Sequence, residues 1–251
     1  MENFGKNEER TQEYLKKFNK EKVLKLLINS ENPTIFDIGA NNGSSLEIFK
    51  EYWPESNVHC FEPQQECWDD LEHCASKYDN GSVVINKFAV GHETIKSAKF
   101  YSHDLNTGIS GFNKINLASD DSIELNKIKN NKDLVNNYKE TLNHEREVNI
   151  IPISEYLKNF KDINKIDLLK IDTQGFEPEV LQGFGSDLSK VNVIITELMF
   201  YDYYERKLSF TDIEKHMIPH NFKLYDISHI AKNPMNGRTD WVDVIYVNES
   251  L

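Results

Sequence analysis

The residues best suited to chemistry lie in two short stretches. The first is Asp37-Ile-Gly39-Ala40-Asn41-Asn-Gly43, a glycine-containing turn directly after the apolar run Thr34–Asp37. Glycine lets backbone approach a ligand closely and tolerates positive φ, and asparagine can also enter the left-handed region. The dinucleotide fingerprint G-x-G-x-x-G needs glycine at 39, 41 and 44, but this chain has Asn41 and Ser44, which disfavours hydride chemistry with a nicotinamide. No Gly-Lys-Ser/Thr follows, so the turn is not a P-loop. Glu62 ends the next apolar run, Asn57–Phe61, where a carboxylate can accept from both hydroxyls of a ribose. Turn and acid together predict a ligand with a ribose but no pyrophosphate.

The second stretch is Ile166-Asp-Leu-Leu-Lys170-Ile-Asp172, followed by Gln174, Glu177 and, one run later, Glu197. In a strand, residues i and i+2 share a face, so Lys170 and Asp172 point the same way, and Asp172 is expected to be the partner of a buried Lys170. Asp172 then reads as a general base, as an acceptor for a cofactor amine, or as half of a structural ion pair. Glu197 is placed to shape an acceptor site, and Glu177, just before Pro178, reads as a helix cap. Asp172, Glu177 and Glu197 together offer a minor alternative, a hard cation such as Mg²⁺, though no metal is expected. His103 and His144 are further candidate bases. Cys60, Cys67 and Cys74 lack any C-x-x-C spacing and read as reduced thiols, not as a zinc site.

These groups need elements to hold them. Residues 8–29 show one amphipathic helical pattern, broken at Asn32-Pro33. Apolar runs at 34–37, 57–61, 83–85, 166–171 and 191–195 alternate with helical patterns at 44–52, after Pro63, at 154–160 and after Pro178, which predicts a parallel sheet covered on both faces. Two further strands, 222–227 and 241–247, have no helical pattern between them and should pair antiparallel at one edge. The division expected is an N-terminal helical segment, 1–32, and one domain, 33–251. Residues 102–147 interrupt it as a polar excursion with one helix near 133–142, flanked by strand-like segments at 98–101 and 148–151.

The net charge of −12 argues against a nucleic-acid partner and against anionic lipid. The N-terminus has no apolar core of a signal peptide, and no apolar run is long enough for a membrane span, so a cytoplasmic location is expected.

The motifs Asp37–Gly43, Cys60-Phe-Glu-Pro63, Ile166–Glu177 and Val180-Leu-Gln-Gly183, with Ile195-Thr-Glu197, Tyr204-Glu205 and Asp243-Val-Ile-Tyr246, resemble the FkbM family of S-adenosylmethionine-dependent methyltransferases. The resemblance spans roughly residues 33–248, with 113–147 poorly matched. It implies a Rossmann-like class I methyltransferase fold with a seven-stranded, mostly parallel sheet. It also implies methyl transfer, usually to a hydroxyl of a sugar or secondary metabolite. Carried over by position, Asp37, Gly39, Ala40, Asn41 and Gly43 would line the methionine end and ribose of S-adenosyl-L-methionine. Glu62 would take the ribose hydroxyls, while Pro63, Phe88 and Ala89 would border the adenine. Asp172 and Gln174 would lie beside the cofactor, Gln174 standing where many members have Glu. The favoured activity is O-methylation of a sugar hydroxyl in a glycan, glycolipid or secondary-metabolite precursor, with Asp172, His103 and Glu197 as catalytic candidates. An N-methyl or small-metabolite acceptor and a non-catalytic cofactor-binding module are the alternatives. Tyr101, Ser110, Phe112 and the run Phe200–Tyr204 offer stacking and hydroxyl contacts to an acceptor, or simple packing. Arg146, Arg206 and Arg238 offer either a clamp for an anionic acceptor group or surface ion pairs. Oligomeric state stays open.

Overall fold

The computed structural model describes residues 7–78, 81–119 and 127–250. Among the described residues ten strands follow one another. They are β1 (Thr34–Ile38), β2 (Asn57–Phe61), β3 (Val83–Asn86), β4 (Ala89–Val90), β5 (Ile95–Ser102), β6 (His144–Ile151), β7 (Ile166–Ile171), β8 (Val191–Met199), β9 (Phe222–Lys232) and β10 (Thr239–Asn248). Seven form one sheet in the order β3-β2-β1-β7-β8-β10-β9, with every pairing parallel except those of β10. This is the Rossmann-like class I methyltransferase arrangement, closed at one edge by the antiparallel pair. Strand order reverses between β1 and β7, so a crevice opens beyond their carboxyl ends.

The helices are α1 (Asn7–Lys17), α2 (Lys20–Leu27), α3 (Ser44–Tyr52), α4 (Trp68–Ser76), α5 (Lys132–Glu140), α6 (Ile153–Tyr156), α7 (Glu177–Phe184) and α8 (Phe210–Met217). Central strands such as Ile35-Phe36-Asp37-Ile38 bury both faces, which is why they read as nearly continuous apolar runs. Alternate residues divide between two cores. Phe36, Ile38, Leu169, Ile171 and Ile194 meet α6, α7 and α8 on one side. Ile35, Val58, Leu168, Val193 and Ile195 meet Leu24 of α2, Leu46 and Phe49 of α3 and Leu71 of α4 on the other.

The structure corrects three local expectations. The pattern at 8–29 is two helices, because the Asn19 side chain accepts from the Lys22 N–H and starts α2 afresh. After Pro63 there is a 3₁₀ turn, Gln65–Cys67, before α4 begins at Trp68. The flanks of the excursion lengthen and pair. β5 and β6 join antiparallel and β4 pairs with β6, forming a second sheet of three strands beside the first. The polar outer residues of this ladder, Lys99 opposite Glu147 and Tyr101 opposite Glu145, hide its strand period in the sequence. No helix among the described residues is long and apolar enough to cross a membrane. The three cysteines are free thiols buried in the interior.

Beneath the sheet's first strands, His59 is buried against Phe36, Tyr156 and Phe160, with Nδ1 2.7 Å from the Tyr156 hydroxyl. Burial holds its pKa down to about 4. The unfolded chain therefore binds a proton that the folded chain refuses, and stability is full above pH 6.5 and lost as pH falls toward 4. The full contribution is about 3 kcal/mol. Urea titrations between pH 7.5 and 4.5 should show this slope, and His59→Leu should remove it; an unchanged slope in the variant would assign the acid sensitivity elsewhere.

Candidate active site

The turn after β1 is shaped by positive φ at Gly39 (83°), Asn41 (47°) and Gly43 (92°). Gly39 and Ala40 donate their N–H groups to the Phe61 carbonyl at the end of β2. Gly43 caps α3, and its missing side chain leaves room for Cys74 and Leu71 of α4. Beneath the turn lies Lys170. Its Nζ is 3.1 Å from the Gly39 carbonyl, 3.1 Å from Asp37 Oδ1 and 3.6 Å from Asp172 Oδ2. The expected partner of Lys170 was Asp172, but the nearer carboxylate is the fully buried Asp37, directly opposite it in the β1–β7 register. Burial works against the ammonium charge, yet Asp37 and Asp172 outweigh it and hold the Lys170 pKa above its ordinary value. Asp37 is thus a support under the turn and does not line the crevice.

That crevice holds about 540 Å³ of empty space above the turn. Its walls include Gly39, Asn41, Glu62, Pro63, Ala89, Asp172 and Gln174, so seven of the expected cofactor positions converge. Glu62 is 2% exposed; its Oε2 accepts from the Asn41 N–H at 2.8 Å and its Oε1 from the Gln64 N–H at 2.8 Å. Each carboxylate oxygen keeps a second lone pair for a ligand hydroxyl. Burial pushes the Glu62 pKa up to about 7, with the backbone donors at Gln64 and Asn41 opposing the shift.

Asp172 is fixed from the other side. Gln174 Nε2 donates to Asp172 Oδ1 at 2.7 Å, and the buried Tyr204 hydroxyl lies 2.7 Å from Gln174 Oε1. Gln174 itself has φ of 56°, a costly conformation for a side-chain-bearing residue, held by Asn113 Nδ2 on its carbonyl. Glu177 does not cap the helix as expected: it is the first residue of α7, and its carboxylate reaches back to accept from the N–H groups of Thr173 and Gly175 and from the Thr173 hydroxyl in the preceding loop. Among the described residues no group of three His, Cys, Asp or Glu side chains is arranged to hold a metal ion.

Other expected positions fall outside this lining. Ala40 and Gly43 shape the turn from behind, and Phe88 packs on Phe61 with ring centroids 5.7 Å apart. His103 is buried, accepts from the Asn143 N–H on Nδ1, is held near pKa 4 by burial and the nearby His144, and does not line the crevice. His144 sits beside Asp104 at the start of β6. Glu197 lines a neighbouring crevice under α2 and α3. Tyr203 and Tyr204 are packed with Ile115 and Leu142 rather than offered to solvent. Arg146, Arg206 and Arg238 pair with Glu66, Glu179 and Asp240, Arg146 and Glu66 both half exposed at the surface.

Four lining residues carried no signal in the sequence that tied them to the cofactor. Phe100 and Val90 reach the crevice from the small sheet, Thr107 from the loop after β5, and Gln64 from the turn after β2. Thr107 Oγ1 donates to Asn41 Oδ1, and Gln64 Nε2 to the Thr107 carbonyl, so this loop is stitched across the mouth of the crevice.

A curated relative, Methyltransferase 1 of Beauveria bassiana (strain ARSEF 2860), is 25% identical over 154 residues, covering 61% of this chain and 59% of that protein. The chain thus spans about three fifths of that relative's length. The 2-O-methyltransferase NoeI of Sinorhizobium fredii (strain NBRC 101917 / NGR234) is 25% identical over 192 residues, 72% of this chain and 70% of that protein. Among solved structures, precorrin-6y C5,15-methyltransferase from Geobacter metallireducens GS-15 aligns with a TM-score of 0.43 at 10% identity, covering 90% of this chain and 84% of that one. The sequence also matches the methyltransferase FkbM domain over residues 37–224, three quarters of its length, and the chain belongs to that family.

Proposed function

We propose that the protein is an S-adenosylmethionine-dependent methyltransferase that methylates a hydroxyl oxygen, most naturally on a sugar. The observation that carries this is the buried Glu62 carboxylate, held 2.8 Å from the Asn41 N–H, at the mouth of a crevice floored by a positive-φ glycine turn. That combination fits a ribose presented without phosphates. The resemblance of the chain to a protein named 2-O-methyltransferase supports an oxygen acceptor.

The residues present fit the cofactor. Glu62 would hold the ribose hydroxyls, Pro63, Gln64 and Ala89 would border the base, and Gly39 and Asn41 would lie against the amino-acid end. When bound, this cofactor supplies a methyl group already activated on a positively charged sulfonium. The chain's task is then to align the acceptor oxygen and exclude water, and alignment can be worth about 7–11 kcal/mol. Asp172, oriented by Gln174 and Lys170, is the carboxylate placed to take a hydroxyl proton or hold the cofactor amine. Calorimetry with S-adenosylmethionine and S-adenosylhomocysteine tests the first half of this reading. Incubation with a methyl-labelled donor and sugar acceptors tests the second. Binding without label transfer would leave a cofactor-binding module, and absence of binding would end the proposal.

Glu62 gives a pH-dependent signature. Ribose hydroxyls donate to the ionised carboxylate, so affinity should be full above pH 7 and fall as pH drops through 7 toward 5. Glu62→Gln should weaken S-adenosylhomocysteine by about 1–3 kcal/mol at pH 8, roughly 5–150-fold, and flatten the pH profile. Calorimetry at four pH values reads both effects; a variant that keeps the wild-type slope removes Glu62 from the ribose site.

A further inference from the structure

A second crevice, with about 740 Å³ of empty space, opens beside the first and shares Asp172 as a common wall. It lies on the opposite side of Asp172 from the Glu62 end, under α2 and α3. The β8–β10 register sets Glu197 directly opposite Asp243, and the β7–β8 register, continued one residue past Ile171–Thr196, sets Asp172 beside Glu197. Three carboxyl groups therefore stand in one row across adjacent strands, on the sheet face that α2 and α3 cover. Facing this row are apolar side chains of the helices, Leu24, Ile48 and Phe49. The roof is tied down by Lys20 of α2, whose Nζ is 3.2 Å from Asp243 Oδ2.

We propose that this second crevice is the acceptor compartment, and that it takes an uncharged polyhydroxyl ring while turning away uronates and sugar phosphates. The inference rests on the methyltransferase reading given above, and goes beyond it in placing the acceptor and fixing its charge. A group that receives a methyl must reach the cofactor crevice, and among the described residues Asp172 is the one that lines both crevices. Carboxylates accept from hydroxyls and repel anions, while the aliphatic wall matches the C–H face of a ring. Burial, together with the neighbouring carboxylates of Asp172, Glu177 and Asp243, raises the Glu197 pKa above the ordinary carboxylate range, so the middle carboxyl of the row holds its proton more firmly than a solvated glutamate. Lys20 is paired with Asp243, and Lys170 with Asp37 and Asp172, so neither lysine is available to hold a phosphate or uronate. The arginines that could have done so are paired elsewhere.

The test uses the full chain saturated with S-adenosylhomocysteine and titrated, by saturation-transfer NMR, with four probes. These are methyl α-glucopyranoside, methyl α-mannopyranoside, methyl α-glucuronide and mannose 6-phosphate. The neutral glycosides should bind saturably and the two anions at least tenfold more weakly. Ile48→Trp, at a half-exposed position on α3, should narrow the crevice and weaken the neutral glycosides at least tenfold, while keeping S-adenosylhomocysteine affinity within about twofold and the wild-type melting curve. Asp243→Asn should weaken the glycosides by a smaller factor and keep the same S-adenosylhomocysteine affinity. The proposal is overturned if an anion binds as well as the neutral probes, if no neutral probe binds, or if Ile48→Trp leaves glycoside binding intact. It is also overturned if Ile48→Trp abolishes S-adenosylhomocysteine binding, since the crevice would then belong to the cofactor. If the wild-type chain itself fails to bind S-adenosylhomocysteine, the methyltransferase reading has failed, and this inference falls with it for that separate reason.

Discussion

Replacing Gly39 with alanine is expected to weaken cofactor binding at least about 100-fold, corresponding to about 3 kcal/mol. Two costs add at this position. With φ of 83°, an L-side chain there is strained by about 1–2 kcal/mol. A Cβ would also run into the Asp172 backbone carbonyl, and since both parties are backbone, the turn or the end of β7 must move. Either movement disturbs three anchors at once: the Gly39 N–H on the Phe61 carbonyl, the Gly39 carbonyl on Lys170, and the Asp172 N–H on the Ile38 carbonyl. Gly81 supplies the control. It has φ of 72°, but an added Cβ there meets nothing within 4 Å. Gly81→Ala should cost about 1 kcal/mol of stability and leave cofactor affinity alone. Calorimetry with S-adenosylhomocysteine on both variants separates strain from collision. Near-wild-type affinity in Gly39→Ala would mean that the turn tolerates displacement and does not define the site.

The contrast between these two glycines also shows which parts of the site the sequence could reveal. Gly39 and Glu62 were legible because each follows an apolar run, and a strand's carboxyl end fixes where the next residues point. Asp172 was legible for the same reason, through its i, i+2 relation to Lys170. The sheet order followed from alternating runs, and the edge pair from a missing helical pattern. Nothing in the local pattern distinguished Asp37 from Asp172 as the partner of Lys170, since strand register between β1 and β7 is a tertiary fact. Thr107 and Phe100 were illegible for a related reason: they belong to a loop and a small sheet whose half-exposed strands mix polar and apolar residues without a clean period. His103 misled because a histidine in a polar segment reads as available, whereas the fold buries it against Asn143. For Arg146, Arg206 and Arg238 the sequence left clamp and ion pair equally open, because it does not show whether an acidic partner stands within reach.

Lys170→Met should lower stability by about 3–5 kcal/mol, the largest loss expected from a single side chain in this site. Lys170 is the cation 3.1 Å from Asp37, which is fully buried and whose two carboxylate oxygens have no hydrogen-bond partner among the described residues apart from that ion pair. Methionine matches the stem of lysine but leaves Asp37 as an uncompensated charge in the core. Two signs identify this cause. The loss should shrink as pH falls, because protonating Asp37 removes the stranded charge, so the variant and the wild type should converge under mild acid rather than diverge. Adding Asp37→Asn should recover much of the loss, since a neutral amide next to a thioether costs far less than a carboxylate. Urea denaturation of the wild type, both single variants and the double variant closes the cycle, with a coupling of several kcal/mol expected between the two positions. A coupling under about 0.5 kcal/mol would show that the pair is incidental and that the turn is held by its backbone bonds alone. The functional consequence follows from the third contact. The Lys170 ammonium also holds the Gly39 carbonyl, so its removal should loosen the cofactor turn even in the stability-restored double variant, and S-adenosylhomocysteine affinity should remain reduced where stability does not.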